Sequence, residues 1–247
     1  MRTVVIAGGT RGIGGALASR LRAGGDEVVA LGSADADLSS VAATRALLSR
    51  LPGRVDVLVL AAGRFSQRRV VTAEGLEQTF AIGVMARFLL AEGLRAALAR
   101  SAAPVVVSLC GTGGIRAGRI HWDDLQLERG YRLFTATMQG ARANDLLGVG
   151  FVAREPRIPY VLYNPLMVDS GMHRYLDQPG RAVMGVAARW FGESVGRAAA
   201  RLEGLLAAPP SAPLTAWRRG TPVVVSGSGF DPVAAARLYG VLADLAG

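Results

Sequence analysis

The stretch Val4 to Leu21 reads VVIAGGTRGIGGALASRL, and it decides the fold of this chain. A β-branched run passes through a cluster of glycines into a helical pattern of apolar residues. Gly8, Gly12 and Gly14 lie where the strand ends and the helix begins, so the backbone can turn tightly and approach a pyrophosphate. Because the cluster follows a strand and opens a helix, it predicts a nucleotide site, and the alternative is a purely structural turn.

Outward from this turn, strand patterns alternate with helix patterns along the chain. The predicted strands cover residues 3–7, 27–31, 55–61, 104–109, 159–163 and 222–226. The predicted helices cover residues 13–23, 40–51, 73–100 with a break near Gly93, 135–152, 193–207 and 231–246. Near-continuous apolar strands between helices are typical of a parallel sheet that helices cover on both faces. The sequence therefore predicts one α/β domain over residues 1–247 with a doubly wound parallel sheet.

The segment 170–191 interrupts this alternation. It is rich in glycine, proline and polar residues, so we interpret it as a lid over a site rather than as a domain boundary. Its large apolar side chains indicate an apolar ligand, and they are equally suited to a subunit interface: Met172, Met184, Trp190 and Phe191.

The composition argues against several classes of protein. One cysteine, Cys110, forms no internal disulfide, and with only two histidines it makes no metal-ligand spacing. The formal charge of +9 is spread along the chain rather than gathered in a basic run, so we expect no nucleic-acid partner. The N-terminus MRTVVIAGG lacks the zones of a signal peptide, and no stretch reaches the roughly 18 apolar residues of a membrane span. We expect a cytoplasmic protein without a membrane partner.

Several motifs resemble the short-chain dehydrogenase/reductase (SDR) family. The spacing AGGTRGIG at 7–14 resembles its TGxxxGxG signature, with alanine in place of the threonine, LAAG at 60–63 resembles its NNAG, and NPLMVDSGM at 164–172 resembles its PGxVxT loop. Three further segments are similar to the retinol-dehydrogenase-like branch: EGLEQTF at 74–80, RIHWDDLQLERGY at 119–131 and FDPVAAARLYGVLADL at 230–245. The resemblance covers most of the chain. It implies a Rossmann fold, a nicotinamide dinucleotide, a small-molecule substrate and a homodimer or homotetramer through the long middle helices, where Phe88, Leu89, Leu94 and Leu98 suit either a subunit contact or the core.

The resemblance also implies a set of cofactor contacts. Asp37 and Leu38 resemble the pair that flanks adenine, and SADADL at 33–38 replaces the helix and strand that usually precede that pair. In the NPLMV loop, the backbone of Val168 would face the nicotinamide carboxamide. The predicted cofactor-binding residues are Gly8, Thr10, Arg11, Gly12, Ile13, Gly14, Ser33, Asp37, Leu38, Ala61, Ala62, Gly63, Pro165, Val168 and Ser170.

The end of the second strand indicates which dinucleotide is preferred. An enzyme that prefers NAD places an acidic residue there, on the ribose 2′-hydroxyl, whereas this chain has Gly32 and Ser33. Arg11 can fork onto the oxygens of a 2′-phosphate, and its alternative role is that of a solvated loop charge. We therefore expect NADP(H).

The stretch TATMQGARAND at 135–145 looks like the helix on which the family carries its catalytic tyrosine and lysine. When the helix is aligned on Asn144, Thr137 takes the tyrosine position and Ala141 the lysine position. An aliphatic hydroxyl is too weak an acid to replace the phenol near neutral pH. The chain contains no lysine at all, and none of its tyrosines is followed four residues later by arginine, so no other register restores the pair.

The other relay positions leave few candidates for catalysis. Gly83 stands where the family has an asparagine, and Ser108 is the member that remains, either to bond a substrate oxygen or as a strand-end serine with a local backbone bond. Tyr163 either faces the nicotinamide or packs in the core. The predicted catalytic residues are Ser108 and Tyr163, and the predicted substrate pocket contains Cys110, Thr137 and Met172.

Two functions follow from these replacements. In the first, the protein is an NADP(H)-dependent oxidoreductase of specialised metabolism, acting on a pre-activated small apolar substrate such as an iminium or a conjugated system, for which positioning supplies much of the rate. In the second, the fold serves a cyclase, a dehydratase, an isomerase or a non-catalytic cofactor-binding subunit. Retention of the glycine turn favours the first.

Overall fold

A seven-stranded sheet forms the centre of the molecule, in the order β2-β1-β3-β4-β5-β6-β7. The structure is a computed structural model that describes residues 1–110, 115 and 117–247. The strands are β1 Thr3–Ala7, β2 Glu27–Leu31, β3 Val57–Leu60, β4 Val105–Leu109, β5 Tyr160–Asn164, β6 Leu214–Arg218 and β7 Thr221–Val223. The first six run parallel, and β7 pairs antiparallel with β6 at the edge. The predicted Rossmann-like α/β fold is confirmed.

Helices cover both faces of the sheet. They are α1 Gly12–Ala23, α2 Val41–Leu48, α3 Gln78–Phe80, α4 Ala86–Gly93, α5 Arg95–Leu98, α6 Leu133–Arg154, α7 Gly180–Phe191, α8 Val195–Ala207 and α9 Pro232–Ala246. Alternate strand residues point to opposite faces. Val5 and Leu58 therefore join the core cluster that contains residues of α4, α6 and α9, while Val4 and Val59 join the cluster under α1 and α8.

The segment after β2 is shortened as predicted. Residues between Leu31 and Val41 form turns without a strand, which leaves β2 at the edge of the sheet. The turn is fixed by the Asp35 carboxylate, which accepts a hydrogen bond of 2.7 Å from the Gly32 N–H. This carboxylate is thereby turned back onto its own loop.

Two elements differ from the sequence prediction. Strand β6 was not predicted, and segment 170–191, for which the sequence predicted no helix, contains helix α7 and a 3-10 turn, Met172–Tyr175. Its role as a lid stays a prediction. The strand predicted at 222–226 is the short edge strand β7, where Pro222 opposes Trp217. A proline lacks the N–H of a ladder hydrogen bond, so an edge position suits it.

The long middle helix is broken into several pieces. It begins at Gln78 rather than at 73, because the Glu77 carboxylate caps the N–H groups of Thr79 and Phe80. A π-helical turn, Ala81–Met85, follows, and α4 ends at Gly93 as predicted. The four apolar residues suited to a subunit contact are all buried within this chain: Phe88, Leu89, Leu94 and Leu98. Because these side chains pack inside the chain, they do not support a subunit contact, and homo-oligomer formation stays a prediction.

Two features are absent from the part of the chain that the structure describes. No helix among them has the length and apolar character needed to cross a membrane. In the same residues, no group of three or more histidine, cysteine, aspartate or glutamate side chains is arranged to hold a metal ion.

Candidate functional site

A cavity of about 940 Å³ opens at the carboxyl ends of the central strands. It lies at the point where the order of the strands reverses, because β2 and β3 follow β1 in the sequence but flank it on opposite sides. Ligands of open α/β sheets bind at this switch point. The volume is at the upper end of the range of about 300–1,000 Å³ that is usual for ligand sites.

The glycine turn forms one wall of this cavity. Gly8 has φ +82°, and a Cβ atom there would lie 2.6 Å from the Ala62 nitrogen. A Cβ atom on Gly14 would collide with the Gly8 carbonyl oxygen. Only glycine permits this approach of β1, β3 and α1. The first turn of α1 borders the cavity, and its N-cap residue Arg11 makes no side-chain capping bond, so the uncapped N-terminus suits an anion.

Every residue that the sequence predicted to bind the cofactor borders this one cavity. The glycine turn, the loops after β2 and β3, and the loop after β5 bring them together. Asp37 lies among them, and hydrogen bonds from the Ser39 hydroxyl and N–H hold the pKa of its carboxyl below the usual value. The geometry thus assembles the predicted set, while its cofactor role stays a prediction.

The cavity is electropositive. Among its described lining residues, four arginines stand against a single carboxylate, Asp37. Three of them are exposed at the rim: Arg11, Arg64 and Arg174. The fourth, Arg87, is 6% exposed and lies at the inner end. Positive charge around an enclosed volume favours anionic ligands.

One face of α6 forms the wall opposite the glycine turn. Thr137, Gly140, Ala141 and Asn144 all border the cavity, at the spacing of neighbours on a helix face. The Thr137 hydroxyl donates a hydrogen bond of 2.8 Å to the Leu133 carbonyl oxygen, within its own helix. Thr137 and Ala141 therefore both lie on the cavity, as the predicted register of this helix requires. The proton of the Thr137 hydroxyl is engaged in the hydrogen bond to Leu133.

Ser108 does not border the cavity. Its side chain is fully buried, and its hydroxyl accepts a bond of 2.7 Å from Arg87 Nη1 and donates one of 3.3 Å to Asn144 Oδ1. The next residue on the same face of the strand, Cys110, lines the cavity instead. The predicted contact between Ser108 and a substrate oxygen is therefore corrected to a contact with Arg87.

Tyr163 also lies outside the cavity. It is 1% exposed and packs in the cluster under α1 and α8, on the opposite face of the sheet from Asn144. Alternation along β5 fixes this placement, since its neighbour Leu162 belongs to the cluster that contains α6. Of the two alternatives for Tyr163, the structure therefore agrees with packing in the core and not with a catalytic position.

Two of the lining residues that the sequence did not single out bear on the chemistry of the cavity. Arg87 is one, and its signal was a single arginine within the apolar helical run FAIGVMARFLL at 80–90. Tyr175 is the other, and its ring lies 5.3 Å from the guanidinium carbons of both Arg64 and Arg174. Because Arg64 also acts electrostatically on Asp37, we place this tyrosine toward the Asp37 end of the cavity rather than at the α6 face.

The remaining pocket predictions have mixed outcomes. Cys110 borders the cavity, and burial raises the pKa of its thiol to about 12 although the nearby Arg87 charge acts in the opposite direction. This thiol is therefore neutral near pH 7 and is no nucleophile. The side chain of Met172 lies outside the described residues, as do those of Met184 and Phe191. Trp190 is exposed and does not line the cavity.

A named bacterial protein is similar in sequence to this chain, although no protein-family model matches it. Over 190 residues it is 30% identical to a protein of Streptomyces sp. (strain C5) named as a daunorubicin C-13 ketoreductase, DnrU, and the match covers 66% of this chain. The chain spans 65% of the length of that relative.

Two of the solved structures that share the fold serve as examples. A 3-alpha-hydroxysteroid dehydrogenase from Pseudomonas sp. B-0831, complexed with NADH, has a TM-score of 0.66 at 22% identity over 89% of this chain and 96% of its own. An angucycline C-6 ketoreductase, LanV, with bound NADP, has a TM-score of 0.62 at 18% identity over 89% of this chain and 95% of its own. At these identities the likeness shows the fold.

Proposed function

We propose that this chain is a divergent member of the SDR family and an NADP(H)-dependent oxidoreductase. Its substrate is a small, apolar and pre-activated molecule, such as an iminium or a conjugated system. One observation carries the proposal: the glycine turn and the α6 face border a single cavity, and that face presents Thr137 and Ala141 where the family has tyrosine and lysine. The ketoreductase name of the curated relative and the NADH and NADP in the similar structures support it.

The residues present fit a nicotinamide dinucleotide. The glycine turn suits a pyrophosphate at the N-terminus of α1, and its shape depends on Gly8 and Gly14, where a Cβ atom would collide with the surrounding backbone. Asp37 and Leu38 suit the adenine end, and the loop at Pro165 to Val168 suits the nicotinamide end. When bound, the cofactor supplies a hydride acceptor or donor. The chain itself orients the substrate and excludes water from the deep end of the cavity.

The pre-activated substrate follows from the groups on α6. A hydroxyl that donates to its own helix, as Thr137 does, delivers no proton to a substrate oxygen, and Ala141 brings no charge. The missing acid and its partner each contribute to ordinary carbonyl reduction, since general acid-base groups typically supply about 10² to 10⁴ in rate. A cationic or conjugated substrate reacts with less help from a protein acid. The absence of a protein acid on α6 also favours a second candidate function, a non-redox reaction in which the cofactor stays bound and unchanged.

Absorbance of NADPH decides between the two candidates. We expect NADPH absorbance at its nicotinamide band to fall when the purified protein is mixed with a panel of cyclic iminium and conjugated carbonyl compounds, and not with simple ketones. Product formation without loss of the band would replace the first candidate by the second. Failure of both NADPH and NADH to bind in a fluorescence titration would contradict the proposal as a whole.

Arg11 is expected to select NADPH. Replacing Arg11 by alanine should weaken NADPH binding by about 1.5–3 kcal/mol, the contribution of a charged hydrogen bond, and leave NADH binding nearly unchanged. The Asp35 carboxylate cannot favour NADH in its place, because it caps its own loop at Gly32. Calorimetric titration of both cofactors measures the difference.

A matched control for this variant lies on the same helix. Arg20 is exposed and pairs with Glu203 outside the cavity, so Arg20→Ala removes one positive charge without touching the site. It should alter neither cofactor affinity by more than a small factor. Equal losses of NADPH and NADH binding in Arg11→Ala would refute this assignment.

A further inference from the structure

Arg87 is a buried cation whose described partners are all neutral. Nη1 donates to Ser108 Oγ at 2.7 Å and to Asn144 Oδ1 at 3.2 Å, and Nη2 donates to the Ala62 carbonyl oxygen at 3.0 Å. Nε is buried and has no hydrogen-bond partner. A guanidinium carries five N–H donors, and these bonds use both of Nη1 and one of Nη2. Because Nε is itself buried, the second N–H of Nη2 is the donor left for a ligand in the cavity that Arg87 lines.

This arrangement is costly for the folded chain. A buried charge normally pairs with an opposite charge, because its desolvation costs several kcal/mol. No ion pair of Arg87 occurs among the described residues, and the buried acid that follows Asn144 in the sequence, Asp145, lies 3.7 Å from Arg142 in an ion pair of its own. Burial lowers the pKa of the Arg87 guanidinium from its usual value above about 12, and it stays charged near neutral pH.

Position separates Arg87 from the other arginines of the cavity. Arg11 lies at the N-terminus of α1, and Arg64 and Arg174 lie at the mouth with Tyr175, where phosphate groups of a dinucleotide can neutralise them. Arg87 instead contacts Asn144, one helical turn from Ala141 on the α6 face. Its charge is therefore available to the substrate rather than to the phosphates.

We propose that Arg87 binds an ionised oxygen of the substrate, and that the substrate is an apolar conjugated molecule with one acidic oxygen, a carboxylate or an ionised phenol or enol. Of the two substrate types in the proposed function, this excludes a simple iminium, because the guanidinium would repel a second cation. The proposal rests on the proposed function for the position of the substrate. The walls near α6 are apolar or small, with Ile82, Leu109, Ala136 and Ala141 among them, and suit a hydrocarbon or ring body. In such surroundings a single charge-assisted hydrogen bond has a large effect on selectivity.

Equilibrium binding of two probes tests this without catalysis. We expect the wild-type protein to bind 2-naphthoate about tenfold to a hundredfold more tightly than the uncharged 2-naphthamide in calorimetric titrations. Arg87→Met, which keeps the length and removes the charge, should bind both equally, and Arg87→Lys should keep part of the preference. Arg95→Met is the matched control, since Arg95 belongs to α5 and pairs with Glu92 outside the cavity.

Each outcome has a defined meaning. A wild type that shows no preference for naphthoate, including one that binds neither probe, overturns the inference, as does a preference that survives in Arg87→Met or disappears in Arg174→Met. If Arg87→Met does not fold, a crystal structure of the wild type with 2-naphthoate decides by whether the carboxylate contacts the Arg87 guanidinium. Titrations with and without saturating NADP⁺ separate this result from the proposed function, which fails independently if NADP⁺ does not bind.

Discussion

Replacing Gly14 by alanine is expected to abolish dinucleotide binding and to lower the free energy of unfolding by about 3 kcal/mol. The added Cβ atom would meet the Gly8 carbonyl oxygen and would lie 3.3 Å from the Ala61 Cβ atom. Both neighbours are held by the sheet, since Gly8 N–H bonds the Leu31 carbonyl and Ala61 N–H bonds the Ala7 carbonyl. The helix must therefore move, and its N-terminus leaves the cavity.

The control for Gly14→Ala is another helical glycine in open surroundings. Gly204 lies in α8, and a Cβ atom there meets nothing within 4 Å. Alanine at this position should be neutral or stabilising by about 0.5–1 kcal/mol, because alanine has the higher helix propensity. Urea unfolding and NADPH titration of both variants measure the effects. Near-native cofactor affinity in Gly14→Ala would show that the close approach at this turn is not needed.

Local pattern was sufficient to predict the turn and most of the sheet. A β-branched run, a glycine cluster and a helical pattern are close in sequence, so their juxtaposition needs no knowledge of distant elements. The missed elements lie next to turn-forming residues. Strand β6 reads LTAWR and follows the proline-rich stretch 209–213, and α7 begins at Gly180 directly after Pro179, within a segment rich in glycine, proline and polar residues.

Depth within the fold was not predictable in the same way. Alternation places Ser108 and Cys110 on one face of β4, yet the sequence alone does not show which of them reaches the cavity. Alternation along β5 did contain the information that Tyr163 faces the other side. The role of Arg87 depends on three distant partners, from the loop after β3, from β4 and from α6, which only the assembled fold brings together.

In the proposed SDR relationship, the absence of a lysine at position 141 is physically consistent with the buried arginine. Ala141 and Asn144 lie one turn apart on α6, and Asn144 accepts a hydrogen bond from Arg87. A lysine at position 141 would bring a second cation to the same desolvated end of the cavity, and like charges there oppose each other strongly. A lysine on α6 and an arginine on α4 are therefore alternative sources of the one cation at this end of the cavity. In this protein the cation is Arg87 of α4.

Ser108→Ala is expected to damage the site far more than Thr137→Ala. Removal of the Ser108 hydroxyl leaves an N–H of the buried Arg87 without its acceptor, which should lower the free energy of unfolding by about 1–3 kcal/mol. Because Ser108 positions Arg87, the naphthoate affinity should fall about tenfold while the naphthamide affinity is unchanged. Thr137→Ala removes a bond within its own helix, so stability should change by less than about 0.5 kcal/mol and both probes should bind as before.

Thr44→Ala supplies the matched comparison for the threonine. Thr44 is fully buried in α2, outside the cavity. Its hydroxyl donates a hydrogen bond of 2.8 Å to the Ser40 carbonyl oxygen four residues earlier, as the Thr137 hydroxyl does to Leu133. If Thr137→Ala weakens naphthoate binding while Thr44→Ala does not, the Thr137 hydroxyl contacts the ligand. The assignment of anion binding to Arg87, positioned by Ser108, is then wrong. If Ser108→Ala lowers the affinity for both probes equally, its effect is one of general packing. Only a selective loss of the anion in Ser108→Ala agrees with a serine that acts through the guanidinium.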